Sequence, residues 1–186
     1  MQLMQLTVKE GIVQGIPYYP SPNYNQRPAD SIINLVILHN ISLPPGTFSG
    51  DAIIDFFQNK LDIDADPYYQ QIKETRVSAH FLIRRDGLLI QFVPLHLRAW
   101  HAGVSSFDGV PNCNDYSIGI ELEGTDDIPY ELCQYRSLVN LLVLLKRINP
   151  AVTNERIVGH SDVAPDRKTD PGSAFDWGFL RGELCT

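Results

Sequence analysis

Hydrophobic runs along the 186-residue chain predict several short strands. Residues 32–39 read IINLVILH, a stretch that is too short for a helix and typical of a buried central strand. Residues 116–123 alternate between apolar and polar side chains and predict another strand, and residues 155–160 predict a short one. Residues 79–84 and 88–93 flank an Arg-Asp-Gly turn, in which Asp-Gly is a strong signal for a β-hairpin.

Helical patterns lie between and after these strands. Residues 51–61 carry apolar side chains at helical spacing, and residues 129–148 predict a longer helix with Pro129 in its first turn. The longer segment is apolar on most sides over residues 138–145, which predicts deep burial. A last helix is expected after Ser173 or Asp176, either of which can cap it. Intermixed helices and strands with a hairpin indicate an α/β fold with a central mixed β-sheet flanked by helices.

The chain length indicates a single domain over residues 1–186. Residues 1–31 are polar and contain four prolines, which predicts an irregular lead-in, and residues 32–184 are expected to form the catalytic core. Residues 62–75 are expected to form a polar loop, and residues 159–172, which read GHSDVAPDRKTDPG, a long ordered loop rather than a helix.

Charge and cysteine content narrow the function classes. The net charge of −7 disfavours binding to a phosphate backbone, so no nucleic-acid partner is expected. No apolar stretch approaches the roughly 20 residues of a membrane span. The three cysteines, Cys113, Cys133 and Cys185, have no short spacing that would indicate a disulfide framework or a zinc knuckle. Together with the lack of a recognisable secretory signal, they predict a reducing, cytoplasmic location.

Two of the five histidines lie where catalytic residues of α/β proteins gather, at the ends of predicted strands. His39 closes the first strand, His160 closes the strand of residues 155–160, and Asp170 follows ten residues later. Two imidazoles and a carboxylate with one open position make a catalytic zinc site. The separation of the two histidines along the chain is not diagnostic, so structural, hydrogen-bonded histidines stay an alternative at this point.

Two further polar residues fit catalytic roles. Glu121 and Glu123 share one face of their predicted strand, so at least one is expected to be buried or to face a cleft. Burial raises the pKa of a carboxyl group and suits it to general-base catalysis near neutral pH. Lys168 lies two residues before Asp170 and could stabilise a developing oxyanion, although a solvated surface lysine is the alternative.

Five segments along the chain resemble one enzyme family. They read LVILHNISLPPG, RVSAHFLIRRDG, RAWHAGVSSF, NDYSIGIELEGT and GHSDVAPDRKTDPG. In content and order they are similar to the AmpD family, the cytoplasmic 1,6-anhydro-N-acetylmuramoyl-L-alanine amidases, within the wider group of zinc amidases and peptidoglycan recognition proteins. The resemblance extends from about Tyr18 to about Leu184 and implies the zinc-amidase fold over nearly the whole chain.

The resemblance implies one Zn²⁺ per chain, with His39, His160 and Asp170 as its ligands. It implies that Glu121 is the acid/base that handles the attacking water and that Lys168 stabilises the transition state. The family's muropeptide cleft corresponds in this chain to Asn40, Arg76, Trp100, His101 and Ala102. The implied substrate is a small anhydro-muropeptide, cut between the lactyl group of anhydromuramic acid and L-alanine during cell-wall recycling by a monomeric enzyme.

The chain departs from the family pattern just before Cys113, where residues 109–112 read Gly-Val-Pro-Asn without the basic residue of that pattern. We therefore expect Arg76 and the zinc to supply the positive charge that meets the substrate's carboxylates. Competing interpretations are a peptidoglycan-binding module without hydrolysis and an amidase that degrades intact wall. A non-haem iron oxygenase, suggested by the His160-Ser161-Asp162 triplet, lacks a second histidine further along the chain.

Overall fold

The computed structural model describes residues 6–185, which fold into short strands and helices. The strands are β1 Val8–Lys9, β2 Ile12–Val13, β3 Tyr24–Gln26, β4 Leu35–Ile41, β5 Phe81–Ile83, β6 Leu89–Gln91, β7 Leu97–Ala99, β8 Ser106–Phe107, β9 Val110–Pro111, β10 Ser117–Glu123 and β11 Ile157–Gly159. The helices are α1 Ala52–Phe57, α2 Pro67–Ile72, α3 Leu132–Ile148, α4 His160–Val163 and α5 Trp177–Leu184.

Five strands form the central sheet, in the order β11-β4-β10-β5-β6. The first four run parallel, and β6 returns antiparallel to β5 through the predicted hairpin. The two seven-residue strands β4 and β10 lie side by side in the middle, with His39 opposite Glu121 in their register. The sheet is therefore mixed and flanked by helices, which confirms the predicted fold class.

Helix α3 covers one face of this sheet with leucines. Leu138, Leu141, Leu142 and Leu145 are completely buried and form one cluster with Ile118, Ile120 and Leu122 of β10 and with Phe175 and Leu180 near the chain end. This agrees with the deep burial expected of residues 138–145. Burying one such side chain contributes roughly 1.5–3 kcal/mol relative to exposing it.

The start of α3 differs from the prediction, because Pro129 lies outside the helix. Glu131 is the N-cap, and its side chain pairs with Gln134 in a reciprocal capping box. Pro129 instead precedes the helix, where its carbonyl oxygen accepts a hydrogen bond from the guanidinium of Arg85. The turn of the hairpin packs against the same helix end: a Cβ atom at Gly87, where φ is +84°, would lie 2.9 Å from the Cys133 carbonyl oxygen.

The lead-in is more ordered than its prolines predict. It contains β1 and β2, which pair with each other, and β3, which pairs antiparallel with β7. Arg27 ties this segment to the domain, since its guanidinium donates hydrogen bonds to the carbonyls of Asn114, Asp115 and Ser117. Prolines are compatible with such short edge strands, which the composition alone does not distinguish from coil. Residues 1–5 of the predicted lead-in lie outside the described residues.

Three further boundaries differ from the sequence predictions. The first central strand begins at Leu35 rather than Ile32, which is exposed, and it continues two residues past His39. The predicted loop of residues 62–75 contains α2, which Asp66 caps by accepting a hydrogen bond from the Tyr68 amide. The segment of residues 159–172 opens with the single-turn helix α4, so His160 is the first residue after its strand.

Along residues 6–185, the helices are too short or too polar to cross a lipid bilayer.

Candidate metal centre and active-site cleft

The sheet brings the two candidate histidines to the same edge. His39 lies near the carboxyl end of β4, and His160 directly follows the neighbouring strand β11. Because carboxyl ends of parallel strands meet at one edge of a sheet, residues 121 positions apart in sequence become neighbours. Asp170 returns to this edge, where its carbonyl oxygen accepts a hydrogen bond of 3.0 Å from the amide of Ser161.

These three side chains converge on one point. The Nδ1 atoms of His39 and His160 are 2.9 Å apart, and each lies 3.0 Å from Oδ2 of Asp170. All three residues are buried. Burial lowers the pKa of His39 to about 4. Burial alone would raise the pKa of Asp170, but its hydrogen bonds with His160 and His39 outweigh this and hold that pKa well below its usual value.

The hydrogen bonding of His160 shows that this cluster fits a metal ion. Its Nε2 lies 3.0 Å from the carbonyl oxygen of Ala102, which can only accept a hydrogen bond. When Nε2 carries the ring proton and donates it to this carbonyl, the Nδ1 lone pair is free to bind a metal ion beside His39 and Asp170. Ligand histidines of metal sites share this arrangement, with the outer nitrogen donating to a carbonyl. Two nitrogens and one carboxylate oxygen form a donor set that suits zinc and similar divalent metals.

Glu121 lies beside this cluster on the same face of the sheet, because it is the register partner of His39 on a parallel strand. Burial raises its pKa well above the usual value, and repulsion from Asp170 adds to this while Lys168 opposes it. Its Oε2 is buried and makes no hydrogen bond with any group in residues 6–185. Burial therefore stabilises the protonated form of Glu121, which a carboxyl group needs in order to act as a proton donor as well as an acceptor. Glu123, its neighbour on that face, is buried and accepts a hydrogen bond from the amide of Arg85.

A cleft of about 820 Å³ opens over the metal-ligand cluster. Its lining contains eight of the ten residues proposed from the sequence: His39, Asn40, Trp100, His101, Glu121, His160, Lys168 and Asp170. Ala102 is buried behind the cleft and contributes its carbonyl oxygen to His160. Of the remaining histidines, His80 is buried in the core and His96 is exposed.

The structure does not bring Arg76 into the lining of this cleft. Its guanidinium donates hydrogen bonds to the carbonyls of Lys73 and Thr75 and lines a separate, smaller cavity of about 270 Å³. The basic residues in the cleft lining are instead Arg167 and Lys168. The expectation that Arg76 supplies the positive charge of the cleft is therefore not met, because its side chain folds back on its own loop.

Sequence reasoning missed Arg167 and Asp126, although both line the cleft. Arg167 donates hydrogen bonds to the carbonyls of Ala102 and Val104. Asp126 accepts hydrogen bonds from the side chains of Asn40 and Thr169, so it links the strand of His39 to the loop of Lys168 and Asp170. The only signal for Arg167 is its position next to Lys168, and nothing local in the sequence marks Asp126.

Comparison with known proteins places the chain in a family. Residues 28–173 match the sequence profile of the Amidase_2 family, N-acetylmuramoyl-L-alanine amidase. The chain belongs to this amidase family. It is 48% identical over 176 residues to the 1,6-anhydro-N-acetylmuramyl-L-alanine amidase AmpD of Escherichia coli K12, covering 95% of this chain and 96% of that protein.

Solved structures agree with this assignment. A crystal structure of a selenomethionine AmpD derivative superposes on the amidase with a TM-score of 0.92 at 48% identity, over 96% of this chain and 99% of that one. AmpDh3 from Pseudomonas aeruginosa in complex with anhydromuramic pentapeptide gives a TM-score of 0.60 at 28% identity, over 88% of this chain and 65% of that one. The family, the fold and the amidase activity expected from the sequence are confirmed.

Proposed function

We propose that this amidase hydrolyses 1,6-anhydro-muropeptides between the lactyl group of the anhydromuramic acid and L-alanine, in cell-wall recycling. We further propose that His39, His160 and Asp170 hold one zinc ion per chain. The AmpD relative is named for an anhydromuramyl substrate, and the AmpDh3 complex contains an anhydromuramic peptide. Both support this choice of substrate for the chain.

The observation that carries the proposal is the joint placement of the metal-ligand cluster, Glu121 and Lys168 in one cleft. A binding module needs a cleft but no buried donor set beside an acid/base. A bound zinc ion would polarise the scissile carbonyl and lower the pKa of its bound water toward about 7. The cleft volume suits a ligand larger than a single amino acid.

Glu121 is the proton carrier in this mechanism. Its carboxylate takes a proton from the attacking water as the new C–O bond forms, and it then donates that proton to the leaving amine nitrogen as the C–N bond breaks. The raised pKa of Glu121 favours the protonated form that the second step needs. Lys168, from the same lining, faces the oxyanion that develops on the carbonyl oxygen.

Recognition of the stem peptide depends on local charge, because the whole chain carries a net charge of −7. Arg167 and Lys168 concentrate positive charge in the cleft, where carboxylates of a muropeptide are expected to bind. Trp100 offers an aromatic surface to the sugar or peptide, and its indole is fixed by a hydrogen bond of 2.7 Å to Asn25. Asn40 is fixed by Asp126 in the same way.

We propose a cytoplasmic location and a monomeric state for the enzyme. Cys113, Cys133 and Cys185 are all free thiols, which suits a reducing compartment. Purification followed by light scattering tests the monomer, and cell fractionation tests the location.

The proposed reaction is tested by product analysis. The purified protein is incubated with anhydro-muropeptide or with intact peptidoglycan, with and without a chelator, and the products are weighed by mass spectrometry. We expect free stem peptide from the anhydro-muropeptide, abolition by chelator and recovery with added zinc. Preferential release from intact peptidoglycan would instead indicate a wall-degrading amidase. Binding without peptide release, in zinc-loaded protein, would indicate a binding module.

A further inference from the structure

The short segment His101–Ala102 contacts the outer nitrogens of both candidate histidine ligands. The imidazole of His101 places its Nδ1 atom 3.0 Å from Nε2 of His39. The carbonyl oxygen of the next residue, Ala102, lies 3.0 Å from Nε2 of His160. Two adjacent residues therefore hold both rings from the side opposite the cluster.

The directions of these hydrogen bonds are set by the chemistry of the partners. For His39 to offer its Nδ1 lone pair to a cation, its proton has to be on Nε2, where it is donated to Nδ1 of His101. His101 then carries its own proton on Nε2, which lies 3.2 Å from the hydroxyl oxygen of buried Ser117. A serine hydroxyl can accept this bond, so His39, His101 and Ser117 form a continuous chain of hydrogen bonds in which every ring N–H has an acceptor.

The surrounding backbone is built to seat the His101 ring. A Cβ atom at Gly119, in the middle of β10, would lie 2.4 Å from Cγ of His101, so only glycine leaves room for the imidazole there. Asn114 fixes the segment from the other side, because its Oδ1 accepts hydrogen bonds from the amides of both His101 and Ala102. Asn114 is itself buried.

We propose that His101 is a positioning residue of the metal centre, which fixes the ring orientation and tautomer of His39, and that it is not primarily a substrate contact. This inference rests on the metal of the proposed function. It reassigns His101 and Ala102 from the muropeptide cleft to the support of the two histidine ligands. It also explains the strand glycine, which would otherwise weaken the most central strand of the sheet.

Zinc affinity measured by competition with a chromophoric chelator tests the proposal. We expect His101→Ala to weaken zinc binding roughly 10- to 100-fold, as loss of such outer hydrogen bonds does in other metal sites. His101→Asn should recover most of the loss, because its Oδ1 can stand near the position of the imidazole Nδ1. The visible spectrum of the cobalt-substituted protein should change in His101→Ala and return toward wild type in His101→Asn.

A matched control is His80→Asn, which alters another buried histidine whose ring contacts His101 but no ligand of the cluster. It should leave zinc affinity unchanged. Gly119→Ala tests the same role by displacing the intact His101 ring, so it should also weaken zinc binding. Added to His101→Ala, it should cause no further loss of zinc affinity.

The possible results distinguish failure of the positioning role from failure of the proposed function. If wild-type protein binds no zinc, the proposed function itself fails. If wild type binds zinc and His101→Ala binds it equally well, with an unchanged cobalt spectrum, the positioning role is refuted. A raised KM for muropeptide with unchanged zinc affinity would assign His101 to substrate binding instead.

Discussion

Replacing His80 with asparagine should flatten the pH dependence of stability in the metal-free protein. His80 is completely buried; its Nδ1 accepts a hydrogen bond from the amide of Gly119, and its Nε2 donates to the carbonyl of Leu97. Burial and, to a smaller extent, the nearby guanidinium of Arg27 lower its pKa to about 3, against the opposing effect of the hydrogen bond to Leu97. The ring is therefore neutral in the folded protein throughout the range of interest.

The size of the effect follows from proton linkage. In the unfolded chain His80 has an ordinary pKa of about 6.5, so between pH 6.5 and 3 the unfolded state binds more protons than the folded state. Stability is fully present above pH 6.5 and is lost as pH falls, by about 1.4 kcal/mol per pH unit for one group. Lowering the pH from 7.5 to 5.0 should therefore reduce the free energy of unfolding by about 2 kcal/mol through His80 alone.

The free energy of unfolding is measured at both pH values by urea titration of the protein in the presence of a chelator, with tryptophan fluorescence as the signal. Burial of His39 and His101 also makes the folded protein less stable in acid, but wild type and His80→Asn both contain these histidines. Their contribution therefore cancels in the comparison. Asparagine also keeps an acceptor for the Gly119 amide. The loss between pH 7.5 and 5.0 should be about 2 kcal/mol smaller in the variant. Equal losses in the two proteins would refute the neutral, buried state of His80.

Three further predictions concern the cleft. The Glu121→Gln and Lys168→Ala variants should each still bind one zinc ion, but their kcat should be lower on the order of 10²-fold or more. A normal kcat in a zinc-loaded variant would show that the substituted residue has no role in the mechanism. Arg167→Ala should raise the KM for anhydro-muropeptide more than Arg76→Ala does, because of these two arginines only Arg167 lines the cleft. Initial rates that gave the larger increase in KM for Arg76→Ala would contradict this. Asp126→Ala should lower both kcat and the free energy of unfolding, the latter by roughly 0.5–1.5 kcal/mol, since it removes the acceptor of two side-chain hydrogen bonds. Unchanged kcat and an unchanged urea midpoint would show that this link is dispensable.

The strands that carry the site were predictable because their hydrophobic patterns are strong. The run IINLVILH and the alternation of residues 116–123 correspond to β4 and β10, which lie side by side at the centre of the sheet. The Asp-Gly turn correctly predicted the β5–β6 hairpin. The short strands of the lead-in were not predictable, because two or three paired residues leave no periodic pattern.

The individual site residues were predictable only in part. Strand ends indicated His39 and His160, and the polar loop after His160, together with the family resemblance, added Asp170 as their partner. Their convergence within 3.0 Å is a tertiary fact, produced by the pairing of β4 with β11 and by the return of the loop. The direction of a long, flexible side chain depends on its contacts with the surrounding loops. The sequence therefore did not show that Arg167, and not Arg76, lines the cleft.

We propose above that His39, His160 and Asp170 form the catalytic metal centre of an anhydro-muropeptide amidase. Titrating zinc into chelator-treated, desalted protein while recording the rate of stem-peptide release tests it most directly. The rate should rise from near zero and level off at one zinc ion per chain in wild type, and stay near zero in Asp170→Ala. Full activity of the metal-free protein, or a zinc response in Asp170→Ala equal to that of wild type, would contradict the claim.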